Sequence, residues 1–420
     1  MSIRIKDVVI GEKPLICAPV ISTSVHGILE ECKKICNQPV DMVEWRVDMF
    51  ERCDDIEAVL DTLEQIVKVT DRLPIIFTCR TINEGGQYAL GEEAYCNLLN
   101  EVAKQECADI IDVEICMLGD KVASRLINGI KTYSRVVIGS NHHFHETPSN
   151  ENIRNILATL DECGADILKL AVMPDNENDV IRLMSATSAA TSRYDKPIVT
   201  MSMGKLGEIS RVTGGYTGSA ITFASGGGAS APGQIEAGRL RNILDMLEGK
   251  EYHNIFLVGF MGCGKSTISS VLASCLGMKE IDTDAYIENE QGMKIADIFK
   301  GYGEKYFREL ETAFLEKLPE NDSSVIACGG GMAVNEYNVS VMKKCGKVVM
   351  LDATPETIYN RVKHSNTRPL LNGNMNVEYI ANLLEARKPF YERAYDVKVS
   401  TDGRSKEQIA YEIINGIVML

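Results

Sequence analysis

The sequence predicts two α/β units in tandem. The first, residues 1–249, is a closed (β/α)8 barrel; the second, 250–420, is a phosphate-loop domain built on a parallel sheet. Three observations carry this. Eight short apolar runs alternate with helix-patterned stretches over the first half, the rhythm of a barrel. Gly259-Phe260-Met261-Gly262-Cys263-Gly264-Lys265-Ser266-Thr267 fits G-x-x-x-x-G-K-[ST], between an apolar strand (254–259) and a helix-spaced run (266–276). Between the halves, a helix over 234–247 leaves only the short polar linker 248–253, enough to let two domains fold separately while holding them close. An open doubly wound sheet is the alternative for the first half, but it more often carries an early glycine-rich nucleotide turn, which is missing.

In order, the strands of the first half are expected at 15–21, 41–48, 74–80, 109–115, 135–142, 165–174, 197–203 and 219–225. Helices are expected between most of them, as at 54–70, 91–107 and 151–163, whereas the seventh connection is short and glycine-rich. A barrel places its catalytic residues at strand C-terminal ends. There stand Glu44 and Arg46 (strand two), Arg80 followed by Glu84 (three), Glu114 (four), His142 (five) and Lys169 inside strand six. Arg211 follows strand seven, and Ser230 and Gln234 follow strand eight.

Lys169 lies in Ile167-Leu168-Lys169-Leu170-Ala171-Val172. Desolvation and nearby cations favour a neutral amine there, able to attack a carbonyl and form a Schiff base. The plainer reading is a lysine turned outward to pair with a helix carboxylate. In Ser140-Asn141-His142-His143-Phe144-His145, strand alternation sends His142 and His143 to opposite sides, and no acidic or cysteine partner has zincin-like spacing. One histidine facing the mouth as general acid/base is preferred to a metal site or to three solvated rings. Arginines at the same rim suit an anionic carboxylate substrate.

The totals narrow the class. The 420 residues are 45% hydrophobic and 25% charged, as in a globular protein. A net charge of −15 argues against coating nucleic acid or an anionic membrane. Thirteen cysteines without C-x-x-C pairs suit reduced thiols better than disulfides or zinc. The first residues lack a signal-peptide core and no apolar run nears the ~18 residues of a membrane span, so a cytoplasmic, soluble protein is expected.

Several motifs of the first half, in order, resemble type I 3-dehydroquinate dehydratase over roughly 10–248. They are Glu44-Trp45-Arg46-Val47-Asp48, Thr78-Cys79-Arg80 with Glu84-Gly85-Gly86, Ser140-Asn141-His142, Lys169-Leu170-Ala171, Ser202-Met203-Gly204 with Ser210-Arg211, and Ala229-Ser230-Ala231-Pro232-Gly233-Gln234. The resemblance implies a (β/α)8 barrel that dehydrates 3-dehydroquinate to 3-dehydroshikimate without metal or cofactor. It implies that Lys169 forms the imine, His142 moves the proton, Glu84 orients His142 and Arg211 holds the carboxylate. Glu44, Arg46, Arg80, Ser230 and Gln234 contact the other oxygens. His143 stands where a short acidic or polar residue is expected, and His142 is preferred to it as the base. The resemblance also implies a homodimer through the barrel.

In the second half, glycines turn backbone N–H groups around phosphate oxygens, and the helix N-terminus adds positive charge. Lys265 then reaches the terminal phosphates and the Ser266 hydroxyl binds Mg²⁺. Asp282-Thr283-Asp284 follows at a second strand end; 302–318 is helical, 324–328 a strand entering Gly329-Gly330-Gly331, and 347–352 another. The polar stretch 362–374, holding Arg368-Pro369, reads as a lid; 376–393 is helical and 396–400 the last strand. Asp284 suits an acceptor alcohol and Asp282 a water-bridged Mg²⁺, although both also suit a helix cap, and Arg308 and Arg387 suit surface ion pairs.

Phe307-Arg308-Glu309-Leu310-Glu311, Arg368-Pro369-Leu370 and Arg387-Lys388-Pro389-Phe390-Tyr391 join the loop, Asp282-Thr283-Asp284 and the triple glycine in resembling shikimate kinase over roughly 252–418. This implies a nucleoside-monophosphate-kinase-like fold that phosphorylates shikimate with ATP and Mg²⁺. Asp284, Arg308, Gly330 and Arg387 would bind shikimate, with Asp284 and Lys265 catalytic. Gly262, Cys263, Gly264, Lys265, Ser266 and Thr267 would hold nucleotide, with Arg361 against adenine and Arg368 on the lid; Ser266 and Asp282 would serve the metal. The first product is a ketone and the second substrate an alcohol, so a reductase must act between them. No G-x-G-x-x-G follows a strand to bind its cofactor, which leaves docking of a separate shikimate dehydrogenase as a hypothesis. Other readings are a different Schiff-base lyase or aldolase fused to another small-molecule kinase, or one half acting only as a ligand sensor.

Overall fold

The computed structural model describes residues 2–89, 91–226, 231–248, 254–318, 323–363 and 376–418. They fall into two compact units, Met1–Glu248 and Gly249–Leu420. The first opens with an antiparallel hairpin, β1 (Ile3–Ile5) and β2 (Val8–Ile10). Then come β3 (Leu15–Val20), β4 (Met42–Arg46), β5 (Ile75–Thr78), β6 (Ile110–Glu114), β7 (Val136–His143), β8 (Ile167–Val172), β9 (Ile198–Ser202) and β10 (Ile221–Phe223). These eight pair in parallel, each beside its sequence neighbour, and β10 returns to β3 with Ile221 opposite Leu15. The β9–β10 seam is closed by the bridge Ile198↔Ser219 and by Ala220 N–H donating to Ile198 O at 2.8 Å.

Strands buried on both faces need two apolar layers. One lies between strands and helices and includes Trp45, Phe77, Leu98 and Leu168. The other fills the barrel with Leu15, Met42, Ile110, Ile138 and Ile167, and the hairpin adds Ile5 and Ile10 to it. Aspartates at strand starts tie neighbours together: Asp41, Asp109 and Asp166 accept from the amides of Ile16, Ile75 and Val137 at 2.7–2.9 Å. Helix starts are fixed by side-chain caps at Ser24, Asp55, Ser149 and Asn176. The seventh connection carries only the short helices Glu208–Val212 and Gly214–Thr217.

The second unit has five parallel strands, β11 (Asn254–Val258), β12 (Lys279–Asp282), β13 (Ser324–Ala327), β14 (Gly346–Asp352) and β15 (Val397–Ser400). Their order is β12-β13-β11-β14-β15. The central strand β11 thus delivers the glycine loop to the point where strand order reverses, where such sheets bind ligands. The helix Ile295–Glu316 is broken at Gly303, whose φ of 84° and ψ of 171° are not helical. The stretch expected as a lid begins at the end of a helix, Pro355–Val362; from residue 364 to 375 it lies outside the described residues. Among the described residues, no helix is long and apolar enough to cross a membrane.

Candidate active sites

A pocket of about 470 Å³ opens at the C-terminal ends of the barrel strands. Glu44, Arg46, Arg80, His142, Lys169, Arg211 and Gln234 line it, with Phe144, Met201, Met203 and Phe223 as its apolar wall. Six strands and connections therefore bring together seven polar residues that the sequence scattered over some 190 positions. Glu84 stands behind His142, its Oε2 2.8 Å from His142 Nδ1, while Asn141 Nδ2 donates to Oε1 at 3.2 Å. Ser230 lies outside the described residues. His143 lines a neighbouring rim cavity and not this pocket, as strand alternation requires.

Lys169 is buried (3% exposed), so the outward-facing alternative does not hold. Its Nζ donates to Asp112 Oδ2 at 2.9 Å, lies 3.6 Å from Glu44 Oε1, and sits 4.6 Å over the Phe223 ring. Thr78 Oγ1 steadies Glu44 from behind at 2.8 Å. Arg80 donates to Asp112, Glu114 and Ser140 at 2.9–3.1 Å. Arg46 is clamped by both oxygens of Asp48 at 2.8 Å. Asp112 and Asp48 were not among the expected site residues. The signal was available: Asp112 sits two residues before Glu114 in Ile110-Ile111-Asp112-Val113-Glu114, on one strand face, as anomalous in its apolar run as Lys169.

These groups set one another's protonation. Burial alone would raise the Asp112 carboxyl, but Arg80 and Lys169 more than offset it, and the group is held at about 2. Glu84 is pushed up to about 8 by burial and then by Glu114, against the pull of Arg80. His142 is driven well below its usual value by burial and by the Arg80, Lys169 and Arg46 cations, which keeps the imidazole neutral. Arg211 is lowered to about 10 by burial. It donates to the carbonyls of Phe223 and Pro232, has its Nε unbonded, and forms no ion pair among the described residues. A buried guanidinium left so is chemically suited to pair with a carboxylate.

In the second unit Gly262 and Gly264 take φ of 81° and 105°, and a Cβ on Gly262 would stand 2.7 Å from Val362 Cγ1. Cys263 is buried in the same loop, and Thr267 N–H donates to Gly264 O at 3.1 Å in the first helical turn. Lys265 Nζ donates to the carbonyls of Gly259 (2.8 Å) and Phe260 (3.2 Å). Arg361 braces the loop from its carbonyl side, donating to Cys263 O at 3.1 Å and Thr401 Oγ1 at 2.9 Å. Asp282 caps a helix and meets Ser266. Oδ1 caps the helix Thr283–Gln291 through the amides of Asp284 and Ala285, and Oδ2 accepts from Ser266 Oγ at 2.8 Å. A hydroxyl and a carboxylate side by side at a phosphate loop are hard oxygen donors of the kind Mg²⁺ takes.

Around the triple glycine, a Cβ on Gly329 would lie 2.6 Å from Asp284 Oδ1, and one on Gly331 2.0 Å from Arg308 Nη1. Arg387 Nη1 donates to Gly330 O at 3.1 Å, and Tyr391 Oη to the same oxygen at 2.9 Å. Asp284, Arg308, Gly330 and Arg387 thus border one polar niche. Arg308 is no loose surface pair: Nη1 donates at 2.7 Å to the fully buried Glu311, whose carboxyl burial pushes up. Arg368 lies outside the described residues.

Comparison with known proteins matches both units. The family model for type I 3-dehydroquinase matches residues 16–251, and that for shikimate kinase matches 261–418. The 3-dehydroquinate dehydratase of Clostridioides difficile (strain 630) is 39% identical over 247 residues, 58% of this chain and 96% of that protein. The solved 3-dehydroquinate dehydratase of Geobacillus kaustophilus is 35% identical, with a TM-score of 0.58, over 59% of this chain and 97% of that one. The solved shikimate kinase of Aquifex aeolicus is 37% identical, with a TM-score of 0.35, over 39% of this chain and 95% of that one.

Proposed function

From a chain that belongs to the type I 3-dehydroquinase family, with a second unit in the shikimate kinase family, we propose two activities. The first unit dehydrates 3-dehydroquinate to 3-dehydroshikimate, and the second phosphorylates shikimate from ATP. The observation that carries the first is the pairing of Lys169 and His142 on neighbouring strands of one pocket, opposite the unpaired Arg211. Lys169 attacks the substrate ketone and becomes an imine, which acidifies the adjacent carbon as an electron sink. His142, kept neutral by burial, takes the proton from that carbon and returns it to the departing hydroxyl, with Glu84 fixing its ring. Arg211 holds the carboxylate, and Glu44, Arg46, Arg80, Gln234 and Ser230 meet the remaining oxygens. Lys169 is itself the electron sink, so this reaction calls on no cofactor.

In the second unit the loop 262–267 holds the nucleotide phosphates, with Lys265 on the transferring group; Arg361 lies against adenine, and Arg368, the lid arginine, neutralises charge on the moving phosphoryl group. Ser266 and Asp282 would hold Mg²⁺, which neutralises phosphate charge when bound. Asp284 orients the acceptor hydroxyl and helps remove its proton, Arg308 and Arg387 pair with the shikimate carboxylate, and Gly330 lets the ring approach the backbone. The deciding experiment measures ADP formed by the whole chain with Mg²⁺ and ATP, with and without shikimate, alongside borohydride trapping with 3-dehydroquinate. ATP binding without shikimate-dependent ADP formation, or an untrapped Lys169, would overturn the corresponding half.

The proposal extends to a cytoplasmic homodimer formed through the barrel, tested by sedimentation of the intact chain. It also includes docking of a separate shikimate dehydrogenase, tested by co-purification.

A further inference from the structure

We propose that Asp112 is the counter-ion of the protonated imine, a positioning residue that favours the cationic form of Lys169 Nζ in that intermediate. The inference rests on the Schiff-base reading above and goes beyond it. Asp112 lies in β6, 1% exposed, and does not line the pocket, so it reaches the substrate only through the side chains it holds, Lys169 and Arg80. Its Oδ2 accepts from Lys169 Nζ at 2.9 Å, while Oδ1 accepts from Arg80 Nη2 at 3.0 Å and Ser140 Oγ at 2.6 Å. Both oxygens are thus fixed, and one is aimed at the reacting nitrogen.

The balance of the covalent step shows why this matters. An ammonium and a ketone combine to a protonated imine and one water. The C–N bond forms, the carbonyl oxygen leaves as water with two of the three nitrogen protons, and the third stays on nitrogen. The positive charge begins and ends on Nζ, beside the same carboxylate. Only the protonated imine draws electrons from the neighbouring carbon, so an anion that favours the cation sustains the sink. Asp112 is a poor competing base, because Arg80 and Lys169 hold its carboxyl down at about 2.

The other titratable groups facing this pair are Glu44 and Arg46 from β4, Arg80 after β5, Glu84, Glu114 from β6 and His142 from β7. The Cys17 thiol of β3 and the Tyr95 phenol of the helix Glu92–Lys104 complete the set. Glu44 at 3.6 Å is the other anion near Nζ, and Thr78 engages the same oxygen. Asp112 at 2.9 Å carries the direct bond.

The test is Asp112→Asn in the full chain, read by the pH profile of dehydration and by borohydride trapping. Removing the anion lowers the pKa of the cationic nitrogen, so the alkaline limb should move to lower pH by about one to two units. At neutral pH kcat should fall at least about a hundredfold with KM within about threefold, because the residue does not touch substrate. Should Asp112→Asn fail to fold, Asp112→Glu keeps the charge and displaces it: its limb should stay near that of the parent while kcat falls at least about tenfold. An Asn variant whose limb coincides with the parent, or a Glu variant with parental kcat, overturns the proposal. If the parent itself is not trapped at Lys169, the Schiff-base reading falls first; if it is trapped and the limb does not move, only the counter-ion role falls.

Discussion

Glu84 carries the clearest pH signature in the barrel. Its folded value of about 8 lies above the ordinary 4.5, so between those limits the folded chain keeps a proton that the unfolded chain releases. The folded state then binds more protons, and stability falls as pH rises through the window. His142 acts oppositely, since its depressed value costs stability as pH falls below 6.5. Above pH 6.5 the His142 effect fades, so towards pH 8 the barrel's thermal midpoint should decline, while Glu84→Gln should flatten the slope. The measurement is unusually direct because the chain's one tryptophan, Trp45, is buried in the barrel, so its fluorescence reports that unit alone. A slope unchanged in the variant would refute the assignment. Single residues also show what the sequence made legible. Lys169 stood out because a lone cation in an apolar run has few other uses. Asp112 is as anomalous in its own apolar run, but only the structure shows that its partner is Lys169, two strands away.

At the scale of elements, the eight barrel strands were legible because parallel strands buried on both faces appear as continuous apolar runs. The hairpin of β1 and β2 was not, as three-residue strands carry no measurable period. It nonetheless completes the inner layer, and Ile10 is fully buried. Ile10→Ala should cost about 2–5 kcal/mol, the usual range for such a truncation, seen as an earlier Trp45 transition in urea. A shift within about 0.5 kcal/mol would mean that the hairpin merely covers the barrel. The turn after β13 makes a matching demand of the second unit. Its glycines were legible as close-approach positions, but not which side chains approached. Gly329→Ala places a methyl 2.6 Å from Asp284 Oδ1 and 2.8 Å from Glu311 Oε1. It should weaken shikimate turnover at least about tenfold, with the ATP KM much less affected, because the crowding falls on the acceptor side. An equal loss for both substrates would place the triple glycine elsewhere in the reaction.

For the whole molecule, the described residues of each proposed site come from a single unit. Lys169→Ala should remove dehydration by orders of magnitude and leave shikimate-dependent ADP formation intact, and Lys265→Ala should do the reverse. A variant that silenced both activities would reveal coupling that neither pocket explains. The two chemistries cannot run on from each other unaided. Dehydration releases a ketone, while the kinase site offers Asp284 to a hydroxyl, and a carbonyl oxygen has no proton to surrender to it. Neither half carries a strand followed by a dinucleotide-binding glycine fingerprint, so neither offers a site of that kind for a hydride donor. The chain supplied with 3-dehydroquinate, ATP and Mg²⁺ should therefore form 3-dehydroshikimate but no ADP above the acceptor-free rate. ADP should follow once a shikimate dehydrogenase and its reduced nicotinamide are added. Acceptor-dependent ADP before that addition would mean that the kinase site phosphorylates another hydroxyl of the ketone, and that the niche around Gly330 does not discriminate between the two.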